Sequence, residues 1–189
     1  MNILETDLGI CLSVLQRGGI ILYPTDTIWG IGCDATNELA VQKIIEVKNR
    51  PDSKSFVVLV ASELQLVQYI SPVDNSVFEY INNSQKPTTV IYAGAKNLAA
   101  PVIAEDGSVA IRICKEEFCR NLIKQFGKPI VSTSANSSGM PSPVMFSAIE
   151  DKIKSSVDYV VKYKQNDQSP TLPSSIIRWI EGKVEVIRP

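Results

Sequence analysis

The sequence contains no histidine. That removes the side chain most often used as a general base near neutral pH, and also the commonest metal ligand. Four cysteines are present, Cys11, Cys33, Cys114 and Cys119, and no two stand in C-x-x-C spacing. A zinc knuckle or a thioredoxin-type redox pair is excluded on that spacing, and a catalytic thiol would lack a histidine partner. The four read as reduced core residues. No apolar run is long enough to span a bilayer, and residues 1–9 have no secretory n-region or h-region. A cytoplasmic protein without membrane attachment is expected. Charge of one sign is missing too: 19 Lys+Arg face 20 Asp+Glu, for a net charge of −1. The surface as a whole is therefore no glove for nucleic acid, and any anion site has to come from a local cluster. Neither G-x-x-x-x-G-K-[ST] nor a strand followed by G-x-G-x-x-G occurs, which excludes the two best-known phosphate loops.

What is present is a substantial core. Over 189 residues, 44% are hydrophobic, enough for one globular domain. "GGIILYP" (Gly18–Pro24) and "FVVLV" (Phe56–Val60) are short apolar runs that read as buried strands. Residues 36–48 carry apolar side chains at helical spacing, with Thr36 or Asn37 able to cap the start. Ser62 to Gln65 and Ser147 to Glu150 fit capping boxes. "KPTTVIYAG", "GSVAIRI", "KPIVSTSAN" and "VDYVVKY" read as strands, and residues 115–127 as a helix closed by Gly127. "SIIRWIEGKVEVIR" reads as a hairpin turning near Glu181-Gly182. The polar, Pro-rich stretch 165–175 reads as a mobile loop and not as a domain linker. Several strands follow one another directly, so a mixed, twisted α/β sheet is expected and not a pure βαβ series.

Four polar strand ends carry the chemistry: "YPTDT", "KNRPDSK", "STSANSSG" and Arg112. Each has a plain structural reading, as a turn, a helix end whose cations complement the dipole, a polar loop and an exposed strand position. Together they also fit a phosphate pocket of non-Walker type. Lys and Arg donors suit phosphate oxygens, and small hydroxyl residues let backbone N–H groups approach closely.

"GGIILYPTDTIWGIGCDA", "KNRPDSK", "GSVAIRI", "PIVSTSANSSGMPSP", "DYVV", "PSSIIRW" and "VIRP" occur in the order found in the YrdC/TsaC family, the threonylcarbamoyl-AMP synthases, and the chain resembles that family from about Gly18 to Pro189. The K-x-R and S-x-N signature is matched by Lys48-Asn49-Arg50 and Ser134-Ala135-Asn136. The resemblance implies a single YrdC-like catalytic domain over 1–189, the short form of the family, built on a twisted open mixed sheet flanked by helices with a concave basic face. It implies a nucleotidyl transfer in which L-threonine, bicarbonate or CO2 and ATP give threonylcarbamoyl-AMP and pyrophosphate, with Mg2+. The product would serve threonylcarbamoyladenosine modification of tRNA beside the anticodon, through a separate transferase complex. By resemblance, Lys48 and Arg50 are catalytic. Arg50, Lys54, Ser108, Ser134, Asn136, Ser142 and Arg188 bind ATP. Thr27, Leu59, Arg112, Ser132 and Ser174 bind threonine. Asp26 is a magnesium candidate by sequence proximity alone, and the metal ligands are otherwise unassigned.

The expected reaction suits a site without histidine. A carbamate is already an anionic nucleophile, and the obstacle is its approach to a polyphosphate. Two like charges about 4 Å apart repel by roughly 4 kcal/mol at an effective dielectric of about 20, which nearby cations offset. The chain departs from the family's pattern at "SQKPTTV", "IRIC", "PSSI" and "KSF", none of which removes a charged group of the site. Two other readings are a non-catalytic double-stranded RNA-binding module, which the net charge disfavours, and a carbamoyl-adenylate site like that within larger hydrogenase-maturation proteins.

Overall fold

The computed structural model describes residues 2–49, 56–169, 172–180 and 182–189. Its centre is a mixed sheet of nine strands in the order β7-β1-β2-β6-β3-β5-β4-β8-β9. The strands are β1 Ile21–Tyr23, β2 Gly30–Gly32, β3 Val57–Val60, β4 Thr88–Tyr92, β5 Val109–Ile113, β6 Ile130–Ser134, β7 Tyr159–Val160, β8 Ser175–Ile180 and β9 Lys183–Arg188. The pairs β1/β7, β3/β5 and β4/β8 are parallel, and the remaining neighbours are antiparallel. The expected mixed α/β sheet is therefore present.

The apolar runs behave as their composition dictates. All three residues of β1 are buried, as are Val58, Leu59 and Val60 of β3. Strands covered on both faces read as continuous apolar runs without alternation. β2 is the "GIG" tripeptide, and its glycines are required by crowding. A Cβ on Gly32 would lie 2.6 Å from both the Tyr23 ring and the Val131 carbonyl oxygen, and one on Gly30 would lie 2.8 Å from Ser132 Oγ.

Helices α1 Ile3–Gln16, α2 Glu38–Lys48, α3 Glu63–Leu66, α4 Ser76–Asn83, α5 Glu117–Phe126 and α6 Asp151–Ser155 complete the fold. Asn37 caps α2 by accepting from the Ala40 N–H at 3.1 Å, and Asn49 closes it in the left-handed region. Gly127 ends α5 in the same conformation, with φ +74°. The box at Ser62 forms with a one-residue shift: Ser62 Oγ accepts from Gln65 N–H, while the Gln65 side chain accepts from Ala61 N–H. The helix it opens is a single turn.

Other expectations are corrected. Ser147 lies inside a 3-10 turn (Phe146–Ala148), and α6 begins only after Glu150, which makes no side-chain cap. Its carboxylate instead accepts from Ser137 Oγ at 3.1 Å. In "VDYVVKY" only Tyr159 and Val160 pair. The C-terminal hairpin forms as expected, with Gly182 at φ +76°. Helix α1 was not read from the sequence. It buries Leu8, Cys11, Val14 and Leu15, packs against α5, and also buries Asp7. The Asp7 carboxylate accepts from the Tyr159 hydroxyl (2.5 Å) and from the Lys162 (2.9 Å) and Tyr163 (2.7 Å) N–H groups, which ties α1 to the segment after β7. All four cysteines are buried and unpaired by disulfide. Among the described residues no helix is long and apolar enough to cross a membrane.

Candidate functional site

A cleft of about 220 Å³ opens at one end of the sheet. The residues that line it come from five parts of the chain: Thr27 and Ile28 from the β1–β2 turn with Gly30 at the start of β2, Val57 from β3, Arg112 from β5, Ser132 to Ser134 and Ser142 from β6 and the loop after it, and Pro173, Ser174, Ile176 and Arg188 from the β8–β9 region. Sheet order explains the convergence. β2 pairs with β6, with Gly30 opposite Ser134, and β9 returns antiparallel to β8, with Arg188 opposite Ile176.

Arg112 is the most constrained charge in the cleft. It is 5% exposed, so the reading of it as an exposed strand position does not hold. Its Nε donates to Asp26 Oδ1 at 3.1 Å, and its Nη2 lies 3.0 Å from the same oxygen. Nη2 also donates to Thr27 Oγ1 at 3.1 Å and Nη1 to Thr89 Oγ1 at 3.4 Å. The turn that delivers Asp26 and Thr27 is fixed from within. Thr25 Oγ1 accepts from the Thr27 N–H and donates to the Ile28 carbonyl. "YPTDT" is thus both a turn and part of the site.

Arg188 approaches from the other wall. Its Nε and Nη2 donate to the Ser174 carbonyl at 3.0 and 2.8 Å, a two-pronged grip that fixes the residue before β8. Burial first, and then the positive charge of Arg112, lower the Arg188 pKa. Among the described residues Arg188 has no ion-pair partner, whereas Arg112 has Asp26. The cleft thus holds two guanidinium groups and one compensating carboxylate, a field that favours an entering anion.

Lys48 stands differently. It is 2% exposed, and its ammonium donates to the carbonyls of Ser134 and Asn136, the latter at 2.7 Å, with Asn136 Oδ1 at 3.5 Å. The Asn136 amide in turn donates to the Met140 carbonyl. Lys48 therefore staples the end of α2 to the "STSAN" loop and is not among the residues lining the cleft. Trp29 packs against Phe146 with ring centroids 4.8 Å apart and planes tilted by 52°, and Phe146 stands beyond Ser142 in the sequence. The two contacts bracket the segment that carries Ser142.

Of the residues expected at the site, the cleft brings together Thr27, Arg112, Ser132, Ser134, Ser142, Ser174 and Arg188. Leu59, Asn136 and Ser108 fall outside its lining. Leu59 pairs in register with Arg112 but is fully buried, a core position beneath the site. Asn136 is turned toward Lys48 and Met140. Ser108 precedes β5 at the end opposite Arg112 and donates its N–H to Asp106. Arg50 and Lys54 lie outside the described residues. Asp26 serves Arg112 and the Lys115 N–H, and among the described residues no cluster of three acidic or thiol groups could hold a metal.

Sequence reading missed Thr89. It is fully buried, one step beyond the Val90–Ile111 pair on β4 and therefore beside Arg112. Its signal lay in "PTTV": on a strand next to that of Arg112, one of two adjacent threonines faces the same side as the arginine.

Residues 13–189 match the family described as Sua5_yciO_yrdC, telomere recombination. The chain is 28% identical to a threonylcarbamoyl-AMP synthase of Pseudoalteromonas translucida over 95% of its own length and 97% of that protein's. It is 31% identical to another so named from Idiomarina loihiensis, over 89% and 91%. Its fold matches the structure of P. abyssi Sua5 complexed with L-threonine with a TM-score of 0.85 at 23% identity. That match covers 96% of this chain but 53% of the other, so the chain spans about half of that Sua5 protein. With almost the whole sequence and the entire sheet accounted for in this way, the chain belongs to the Sua5/YciO/YrdC family and is an enzyme.

Proposed function

We propose that the chain is an L-threonylcarbamoyladenylate synthase, a nucleotidyltransferase acting on L-threonine, bicarbonate or CO2 and Mg-ATP. One observation carries the reading: Arg112 and Arg188 stand at the two walls of one cleft, linked through Thr89 and Ser174, with Asp26 as the carboxylate paired to Arg112. The carboxylate of an amino acid and a polyphosphate are both anionic groups, and two such groups need two cationic subsites side by side. The complex of P. abyssi Sua5 with L-threonine supports the amino-acid half.

In this mechanism Arg112 holds the threonine carboxylate, with Thr27 and Ser132 beside it. The free amine adds to CO2 and loses a proton, giving a carbamate. A carbamate oxygen then attacks the α-phosphorus of ATP, the new O–P bond forms as the α–β bridging bond breaks, and pyrophosphate leaves with its electron pair. Arg188, Ser134 and Ser142 face the nucleotide, and Arg50 and Lys54 add cations at the phosphates. Magnesium enters with ATP as part of the substrate. Lys48 acts through the loop it staples and is a positioning residue. The product is a mixed anhydride, a reactive acyl donor, which a separate transferase passes to tRNA.

The test is pyrophosphate release by the purified chain with Mg-ATP. Release is expected only when both L-threonine and bicarbonate are present. Release indifferent to threonine would reject the assignment.

A further inference from the structure

We propose that Thr89 is a positioning residue that orients the hydroxyl of Ser174, so that Ser174 presents a hydrogen-bond donor to the cleft. This rests on the functional reading above and extends it to a residue outside the expected site.

The argument is one of proton direction. A guanidinium can only donate, whereas a hydroxyl donates one proton and accepts twice. Arg112 Nη1 donates to Thr89 Oγ1 at 3.4 Å, and Thr89 Oγ1 lies 2.8 Å from Ser174 Oγ. At the far end Arg188 Nη2 points at Ser174 Oγ from 3.5 Å. The chain of groups is therefore closed by a pure donor at each end. Thr89 is fully buried, and its hydroxyl has no further hydrogen-bond partner among the described residues. Its own proton must go to Ser174 Oγ, since an unspent O–H in the interior is costly.

Ser174 then accepts from Thr89 and faces Arg188, so its proton has no taker within this chain of groups. Ser174 is 2% exposed and lines the cleft. Its proton is directed at whatever occupies the space beside Arg112. The occupant must bring an acceptor, and a carboxylate oxygen shared between Arg112 and Ser174 meets that need. Thr89 itself touches no ligand. It fixes the polarity of the wall and links the amino-acid side of the cleft to Arg188.

The test is calorimetric titration of L-threonine into the full chain, wild type against Thr89→Val, Thr89→Ser, Ser174→Ala and the Thr89→Val/Ser174→Ala double variant. Thr89→Val keeps the shape and removes the hydroxyl. It should weaken threonine binding about tenfold, the loss expected for one oriented hydrogen bond. Thr89→Ser should restore it to within about twofold, and the KM for ATP should move by less than about twofold in both. The double variant should bind threonine no more weakly than Ser174→Ala alone, because Thr89 acts through Ser174. Unchanged binding in Thr89→Val overturns the proposal, as do additive losses in the double variant or an equal loss for ATP. If Thr89→Val loses its thermal transition, Thr89→Ala is held to the same criteria. A wild-type chain that does not bind threonine overturns the functional reading, and this inference with it. Wild-type binding together with an indifferent Thr89 overturns this inference alone.

Discussion

Lys48 shows what a cation at a helix end can be used for. Its sequence neighbours present it as one of several positive charges gathered for a phosphate. The fold uses its ammonium on two backbone carbonyls, one at the end of β6 and one in the loop that follows. The two readings could not be separated in the sequence, because the partners lie 86 and 88 positions away. Arg112 was legible as a site residue from its motif, but Thr89, which touches it, was not, since a threonine in a strand is commonplace. For Lys48 the expected outcome is distinct from that of a phosphate ligand. Lys48→Met retains the stem and leaves a buried and a partly buried carbonyl without this donor. It should lower unfolding stability by about 2–4 kcal/mol, measured by urea titration. A purely phosphate-directed lysine would leave that midpoint unchanged.

At the scale of elements, the bounded apolar runs and the end signals were readable. β1, β3, α2 and the Gly127 stop follow from local chemistry. α1 and β2 were not readable. The buried face of α1 is diluted by Ile3 and Ile10, which remain exposed, and β2 is only three residues long. Gly32 makes the second case testable. Gly32→Ala forces a Cβ against the Val131 carbonyl and the Tyr23 ring, neither of which can yield cheaply. A loss of about 1–3 kcal/mol is expected, visible as a lower melting temperature. A second element-level contact joins β8 to the start of α4: the Trp179 indole donates to Asp74 at 2.8 Å. Hydrogen bonds from Ser76 and then from Trp179 lower the Asp74 pKa. A carboxyl with a depressed folded-state pKa contributes stability above its unfolded value of about 3.9 and loses it as pH falls through the lower, folded value. In a Trp29→Phe background, the emission of Trp179 should therefore hold steady down to about pH 4 and change only below it. A midpoint above that would contradict the hydrogen-bonded state.

For the molecule as a whole, the site exists because distant segments close on one another. Its turn comes from residues near 27, its floor from β5 and β6, and its second wall from β9. A second long-range closure ties α1 to residues 159–163 through Asp7. Asp7→Ala removes the acceptor for three donors and should cost about 2–4 kcal/mol. Asp7→Asn, which keeps one acceptor oxygen, should cost less, again read by urea titration.

The parallel pairing of β1 with β7 has a consequence in the cell. Ile21 leaves the ribosome long before Tyr159, its neighbour in the sheet. At the usual 5–20 residues per second, that interval is on the order of ten seconds. Throughout it one edge of β1 stays open, ready to join any other extended polypeptide. Newborn copies of this enzyme therefore pass through a stage in which β1 can pair with foreign chains, a hazard that the completed sheet removes by flanking β1 with β2 and β7.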